Sequence, residues 1–297
     1  MKKIIAITIF VSFALSSFAC EICGCGLGNY YIGLLPTFKH RFIGMRYHYG
    51  TFATRLTDDP TQFSNDRYQT LEIWGGWNVS KKVQLLAFIP YNFNHQVSDE
   101  GVTNLKGVGD IAVLMNYQLW NKTKNNITNQ LYIGGGLKLP TGRFAIEEGD
   151  PDVAAVANTQ RGSGSADALI SLMHTIHFTN WGINTSAIYK LNTTNKNDYR
   201  FGNKFTGNSS VFYTARTKNM VWSPNIGLVY EHTGQSRLSK AKIDLTGGYL
   251  LQSSFGIEAG FGKIAAGINA RLPLSQNFAD GQTKSKLKTM VHVSFAI

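Results

Sequence analysis

The chain has 297 residues, 30 of them glycine and 13 tyrosine but only 7 proline, and its 29 Lys and Arg outnumber 18 Asp and Glu for a formal charge of +11. Glycine and tyrosine in that proportion favour strands and turns over helices. The basic balance sits behind an export leader, which excludes nucleic acid as a working partner and points to anionic lipid headgroups or an acidic solute.

That leader is residues 1–19, "MKKIIAITIFVSFALSSFA". Lys2 and Lys3 make its positive start, Ile4 to Leu15 its apolar run, and "SFA" a small-x-small cleavage site. The run falls short of the roughly 20 residues a membrane-spanning helix needs, so it is expected to be removed. The charge is then +9. No later stretch approaches that length without polar residues.

Residues 20–25, "CEICGC", hold all three cysteines. Three readings stand side by side. Cys20 becomes a lipidated N-terminus, although Ser17 and Phe18 stand where a lipobox has leucine and a small residue. Alternatively, two of the three close a disulfide in an oxidising compartment, leaving one thiol over. In the third reading, Cys20, Cys23 and Cys25 converge as thiolates on copper(I) or zinc, with His40, His48 or Glu21 as a fourth ligand. Gly24 and Gly26 supply the loose backbone such wrapping needs. Residues 20–37 form a cysteine-rich segment expected on the periplasmic side. Its apolar part, "GLGNYYIGLLP" at 26–36, is expected to plug the barrel mouth or run along its rim.

From residue 38 to 297 the signal is period two. In "GDIAVLMNYQLW" (109–120), Ile111, Val113, Met115, Tyr117 and Leu119 share one face, and Asp110, Ala112, Asn116 and Gln118 the other. The same alternation sets Ile264, Ile268 and Leu272 against Asn269 and Arg271, and Val291, Val293 and Phe295 against His292 and Ser294. About twelve such segments follow in order, near 38–52, 67–79, 82–94, 107–120, 128–140, 166–178, 181–192, 198–216, 220–232, 243–260, 263–274 and 286–297. Most exceed the five or six residues common in soluble sheets. A tilted strand needs about 9–11 residues to cross a bilayer's apolar core.

Connections alternate as well. "SKK", "TN", "TKN" and "GK" are short, whereas 53–66, 95–106, 141–165, 233–242 and 275–285 are long. Residues 193–197 are modest for the long set, and 121–127 breaks the short one. Short turns facing the periplasm and long loops facing outside give this pattern, and an even strand count puts both ends in the periplasm. Tyr47, Tyr49, Trp77, Tyr117, Trp120, Trp181, Tyr189, Trp222 and Tyr230 sit near segment ends on the apolar face, where an interfacial girdle belongs. The fold expected is all-β: a transmembrane antiparallel up-and-down barrel of the bacterial outer membrane. A soluble sandwich or lipocalin-like barrel, apolar side inward, is the competing fold.

Four phrases carry a resemblance: "GVGDIAVLMNYQL" (107–119), "GGGLKLPTGRF" (134–144), "GSGSADALISL" (162–172) and the terminal aromatic strand, in that order. Together they resemble the outer-membrane transporters grouped as the meta-pathway phenol degradation family. The resemblance implies an outer-membrane barrel assigned to uptake of small, often hydrophobic compounds, and it leaves the cysteine head outside.

Strand parity directs Arg46, His48, Glu72, Asp110, Asn116, Lys138, Lys190, Asn225, Glu231, Glu258, Asn269, Arg271 and His292 inward. They are expected either to line a narrow polar passage or to pair across the interior and hold the wall. No catalytic constellation is evident. His174 and His177 fall on opposite faces of a strand, and Ser163 and Ser165 read as loop rather than a nucleophile elbow. The function expected is a non-enzymatic channel for a small solute, either a hydrophobic compound or a transition metal. The alternative is a non-conducting barrel that nucleates an assembly with other outer-membrane or periplasmic proteins. The loop 141–165, with its "EEGDPD" run, is the expected outward contact surface.

Overall fold

The computed structural model describes residues 41–145 and 153–297. The leader, the segment with Cys20, Cys23 and Cys25, His40 and the acidic run 147–152 all lie outside the described residues.

Strands β1 (Phe42–Arg55), β2 (Phe63–Asn78) and β3 (Val83–Ser98) begin an antiparallel meander. β4 (Gly101–Val108) and β5 (Ala112–Lys124) both pair with β3 and together make one stave, interrupted at residues 109–111. β6 (Ile127–Lys138), helix α1 (Val153–Thr159), β7 (Asp167–His177) and β8 (Trp181–Leu191) follow. β9 (Tyr199–Arg200) lies off the wall with β13 (Arg237–Leu238) and β14 (Ala241–Lys242). β10 (Lys204–Tyr213), extended by β11 (Ala215–Arg216), then β12 (Met220–Thr233), β15 (Gly248–Phe261), β16 (Ile264–Phe278) and β17 (Thr283–Ala296) complete the ring. β17 pairs with β1 from Phe42↔Ala296 to Thr54↔Thr283, so the sheet closes as an antiparallel barrel of twelve strands. Closure leaves no edge in the main wall, which is what an apolar surrounding demands of a sheet. Among the described residues, no helix is long and apolar enough to cross a membrane.

Which face is apolar separates the two expected folds. On β1, Phe42, Gly44 and Arg46 are buried while Ile43 is 46% exposed, with Met45 and Tyr47 beside it on the outside. The same outward rows recur as Leu71 and Ile73, Met115 and Tyr117, Ile170 and Leu172, Ile226 and Leu228, and Phe255 and Ile257. Inside stand Glu72, Asn116, Asn225, Glu258 and Asn269. A soluble barrel reverses this arrangement, since an exposed apolar belt of that extent has no place in water. Apolar packing inside the barrel is local. Phe42, Trp74, Leu86, Phe88, Ala112, Leu114 and Leu169 form a floor near the end that carries the chain termini and the short turns. Tyr199, Phe201 and Ala157, with Phe144, Leu238 and Ile243, pack at the opposite end.

Several expected boundaries move, for one physical reason. Residues 95–106 are strand rather than long loop: β3 and β4 run on to a tight turn at Asp99–Glu100. β1 and β2 likewise continue to Arg55 and start at Phe63. These extensions leave the apolar belt, so polar residues such as Gln96, Thr103 and Asn104 stand on both faces and the apolar period fades while the ladder of hydrogen bonds persists. The irregular connection 121–127 is a two-residue turn, Asn125 and Asn126 at φ 49° and 62°, which restores the short set. The left-handed region suits asparagine and a tight hairpin requires it. Segment 198–216 is split between β9 and β10, and β15 starts at Gly248, not 243. Of the loop 141–165, Thr141, Arg143 and Ala145 are exposed, Ala157, Asn158, Thr159, Gln160, Ser163 and Ser165 are buried, and the acidic run expected as a contact surface lies outside the described residues.

Candidate functional site: the lumen and its inward loop

β6 leaves the wall at Lys138, just before Pro140, and the chain returns at Asp167 on β7; the two residues are cross-strand partners. Strand parity points both inward. Lys138 Nζ makes ion pairs with Asp110 Oδ2 (2.6 Å) and Asp167 Oδ2 (2.7 Å), donates to the Ser165 carbonyl (3.1 Å), and contacts Ser163 Oγ. Asp110 also accepts from the Gly142 N–H (3.0 Å) and from the Ser163 N–H (2.8 Å) and hydroxyl (3.0 Å). Asp167 Oδ1 accepts from the Ser165 hydroxyl (2.8 Å) and the Thr193 N–H (3.0 Å). Two carboxylates around one ammonium are tolerable here because this many donors share the charge. Gly142 and Gly162 cross at this point: a Cβ on either would lie 2.7 Å from the other's Cα.

Three phrases scattered along the sequence, "GVGD", "LKLPTG" and "GSGSAD", thus meet in one latch. It pins the returning loop to the wall. Lys138 is sealed, its side chain 1% exposed, and its ammonium protons are aimed at acceptors. Ser163 Oγ donates to the Asp110 carboxylate and meets the Lys138 ammonium, so it is one of the groups that fasten the latch.

Beyond the latch, residues 159–161 lie inside the barrel. Asn94 Nδ2 on β3 donates to the carbonyls of Thr159 (2.7 Å) and Gln160 (3.1 Å), and Asn92 Nδ2 to that of Arg161 (2.9 Å). Arg161 Nη1 reaches the Lys106 carbonyl on β4 (2.9 Å). Between this loop and the wall remains a cavity of about 400 Å³. Ser64 of β2, Gln96 of β3, Val102 and Leu105 of β4, and Val156 and Thr159 of the loop are among its lining.

The remaining expected inward residues fall into separate groups. Arg46 lies 3.6 Å from Glu72, with its guanidinium 3.5 Å from the Trp74 ring centroid, and His48 approaches Glu72 at 4.0 Å. His292 is 3.7 Å from Glu258. Asn116 accepts from Ser171 (3.2 Å), and Asn269 donates to Ser254 (2.9 Å) and accepts from Arg271 (3.3 Å). Asn225 and Lys190 are buried on the same interior side. Glu231 pairs with Lys204 (2.9 Å) and Lys288 (3.5 Å). His48 is thus set beside Glu72 on the wall; Cys20, Cys23, Cys25 and His40 are outside the described residues. Among the described residues no group of three His, Cys, Asp or Glu could hold a metal ion.

Sequence reasoning missed Asp167, Ser163, Lys204 and Lys288 as interior partners. For the two lysines and Asp167 the signal existed, since each sits at inward parity on its strand. For Ser163 nothing local marks it.

An apolar exterior, a closed ring of strands and a polar interior narrowed by an inward loop define a membrane β-barrel built like outer-membrane channels. The chain belongs to the family described as "Putative MetA-pathway of phenol degradation", whose model matches residues 57–267. Among solved structures it is similar to the COG4313 outer membrane channel from Pseudomonas putida F1, with 13% identity, a TM-score of 0.64, and coverage of 87% of this chain and 96% of that one. The translocator domain of the autotransporter NalP from Neisseria meningitidis shares 9% identity at a TM-score of 0.48, covering 87% and 88%. The CymD monoaromatic hydrocarbon channel shares 9% at 0.42, covering 92% and 94%. The likeness to the COG4313 channel speaks to the fold alone. No relative of curated function matches the sequence.

Proposed function

We propose that the chain is an outer-membrane channel that admits a small, largely hydrophobic organic solute. The solute enters at the long-loop end, passes between the inward loop and the wall, and leaves at the end that carries the short turns, which faces the periplasm together with both chain ends. One observation carries this reading: residues 159–161 are held inside the barrel, leaving a cavity of about 400 Å³ between loop and wall. That volume lies within the range of sites for one small molecule. A barrel that served only as a structural support has no need of a constriction latched in place with buried charge. Membership of a family described by phenol degradation supports an aromatic or similarly apolar cargo.

Reconstitution into liposomes and planar bilayers tests it. The protein is expected to speed phenol entry over glucose entry, and deletion of 153–158 is expected to raise single-channel conductance severalfold. Absence of any flux or current from folded protein, with and without that deletion, would instead favour the non-conducting assembly barrel. Copper or zinc as cargo or ligand rests on Cys20, Cys23 and Cys25 alone. Stoichiometric metal in the full chain purified under reducing conditions supports it, and its absence removes it.

A further inference from the structure

The two ends of the barrel carry charge differently. The turns at the end with the chain termini hold Lys81 and Lys82 between β2 and β3, Lys122 and Lys124 beside the Asn125–Asn126 turn, Lys218 between β11 and β12, and Lys263 between β15 and β16. All six side chains are exposed. Among the described residues none of these turns contains Asp or Glu, and none of the six lysines is held in an ion pair. At the opposite end Asp58, Asp99, Asp198 and Asp244 are interspersed with Arg55, Arg237 and Lys242. Tryptophan follows the same polarity. Trp77, Trp120, Trp181 and Trp222 are exposed and each stands within a few residues of a short turn, whereas Trp74 faces inward. Such a belt marks the level where acyl chains give way to headgroups, so the lysines just past it lie among headgroups. Two neighbouring hairpins concentrate the charge. The Lys82 carbonyl accepts from the Gln118 N–H of β5 (2.7 Å), and Lys122 Nζ lies 4.7 Å from the centroid of the Trp120 ring.

We infer that this rim is a binding surface for anionic phospholipids, with Lys81, Lys82, Lys122 and Lys124 on the headgroup phosphates and Trp77 and Trp120 seated at the acyl boundary beside them. Contact with lipid follows from the barrel alone; the sign and the place of the preference do not. Lysine stems lie along apolar surface while their ammonium groups reach out to phosphate. Each ammonium near an anionic surface adds an attraction that salt screens within a Debye length. A zwitterionic headgroup brings its own cation to the lysines and gains less. In the orientation of the channel reading the rim meets the periplasmic leaflet, but the binding preference itself requires only a bilayer and no solute flux.

Full-length protein reconstituted into vesicles of phosphatidylcholine and phosphatidylglycerol with identical acyl chains tests it, because the outward tryptophans report on the lipids beside them. Brominated phosphatidylglycerol is expected to quench their fluorescence with at least about threefold higher apparent affinity than brominated phosphatidylcholine, and salt at about 1 M is expected to abolish the difference. The preference is expected to vanish in the quadruple variant Lys81→Gln, Lys82→Gln, Lys122→Gln, Lys124→Gln. It is expected to persist in the variant Lys196→Gln, Lys242→Gln, Lys284→Gln, Lys286→Gln, which removes the same charge from the opposite end. Heat-modifiable gel mobility verifies that both variants keep their barrels. Equal quenching by the two lipids, or a preference that survives in the folded rim variant, overturns the surface. Displacement of the brominated phosphatidylglycerol by inorganic phosphate, but not by chloride at matched ionic strength, assigns the rim to free anions and overturns it as well. A phosphatidylglycerol preference in protein that passes neither phenol nor current upholds the surface and overturns only the channel.

Discussion

The ammonium of Lys138 is the atom on which the interior organisation converges. Its removal leaves Asp110 and Asp167 buried side by side without a cation, the situation in which a lost ion-pair partner costs about 3–5 kcal/mol. Lys138→Met is therefore expected to lower the urea midpoint of the detergent-solubilised barrel markedly, whereas the conservative Lys138→Arg, still charged, is expected to lose less. A substitution with no effect on the midpoint would mean that the latch does not hold the fold. Asp110 and Lys138 were legible in the sequence, because the period of two assigns each a face without knowledge of any partner. Ser163 and Asp167 were not legible as their partners. The contacts join residues 25 to 53 positions apart, and no spacing along a strand encodes which residues a returning loop will meet.

At the scale of elements, the asparagines of β3 act as a rack for the loop. Asn92 and Asn94 hold three consecutive carbonyls, from Thr159 to Arg161. Replacing both with alanine leaves those carbonyls and the strand in place but unfastens one from the other. The double variant is expected to be cut by protease near Gln160 and to show noisier, larger currents, while its gel mobility shows an intact barrel. Resistance equal to that of the unaltered protein would place the restraint on the loop elsewhere. The strands themselves were legible wherever they cross the apolar belt, as in β5, β12 and β16. Their extensions were not, because Asn94, Gln96, Thr103 and Asn104 are polar on either side and carry no alternation to read. The Asn125–Asn126 turn was obscured for a related reason: the polar residues flanking it, such as Lys122 and Thr128, are paired strand.

For the whole molecule, the decisive property is that its apolar side chains face away from its own centre. Ile226 on β12 is one of the most exposed of them, and arginine there is expected to cost about 2–4 kcal/mol if the residue sits near the bilayer midplane. Folding of Ile226→Arg into lipid vesicles, followed by urea titration, measures this, and a change within error would place the residue outside the membrane. The barrel architecture was the most legible part of the chain because twelve repetitions of the same signal reinforce one another. The occupancy of its interior was the least legible, since side-chain parity tells inside from outside and says nothing of what else enters. The join between β1 and β17 has a consequence of its own. Arg41 and Ile297 are bridged by a main-chain bond of 2.8 Å, so the first and last strands of the cylinder meet only after every strand between them is available. A ribosome cannot hand this architecture over in instalments. The polypeptide has to be kept unstructured until it is whole, and trimming the final strand would leave two raw margins eager to stitch themselves to a neighbour.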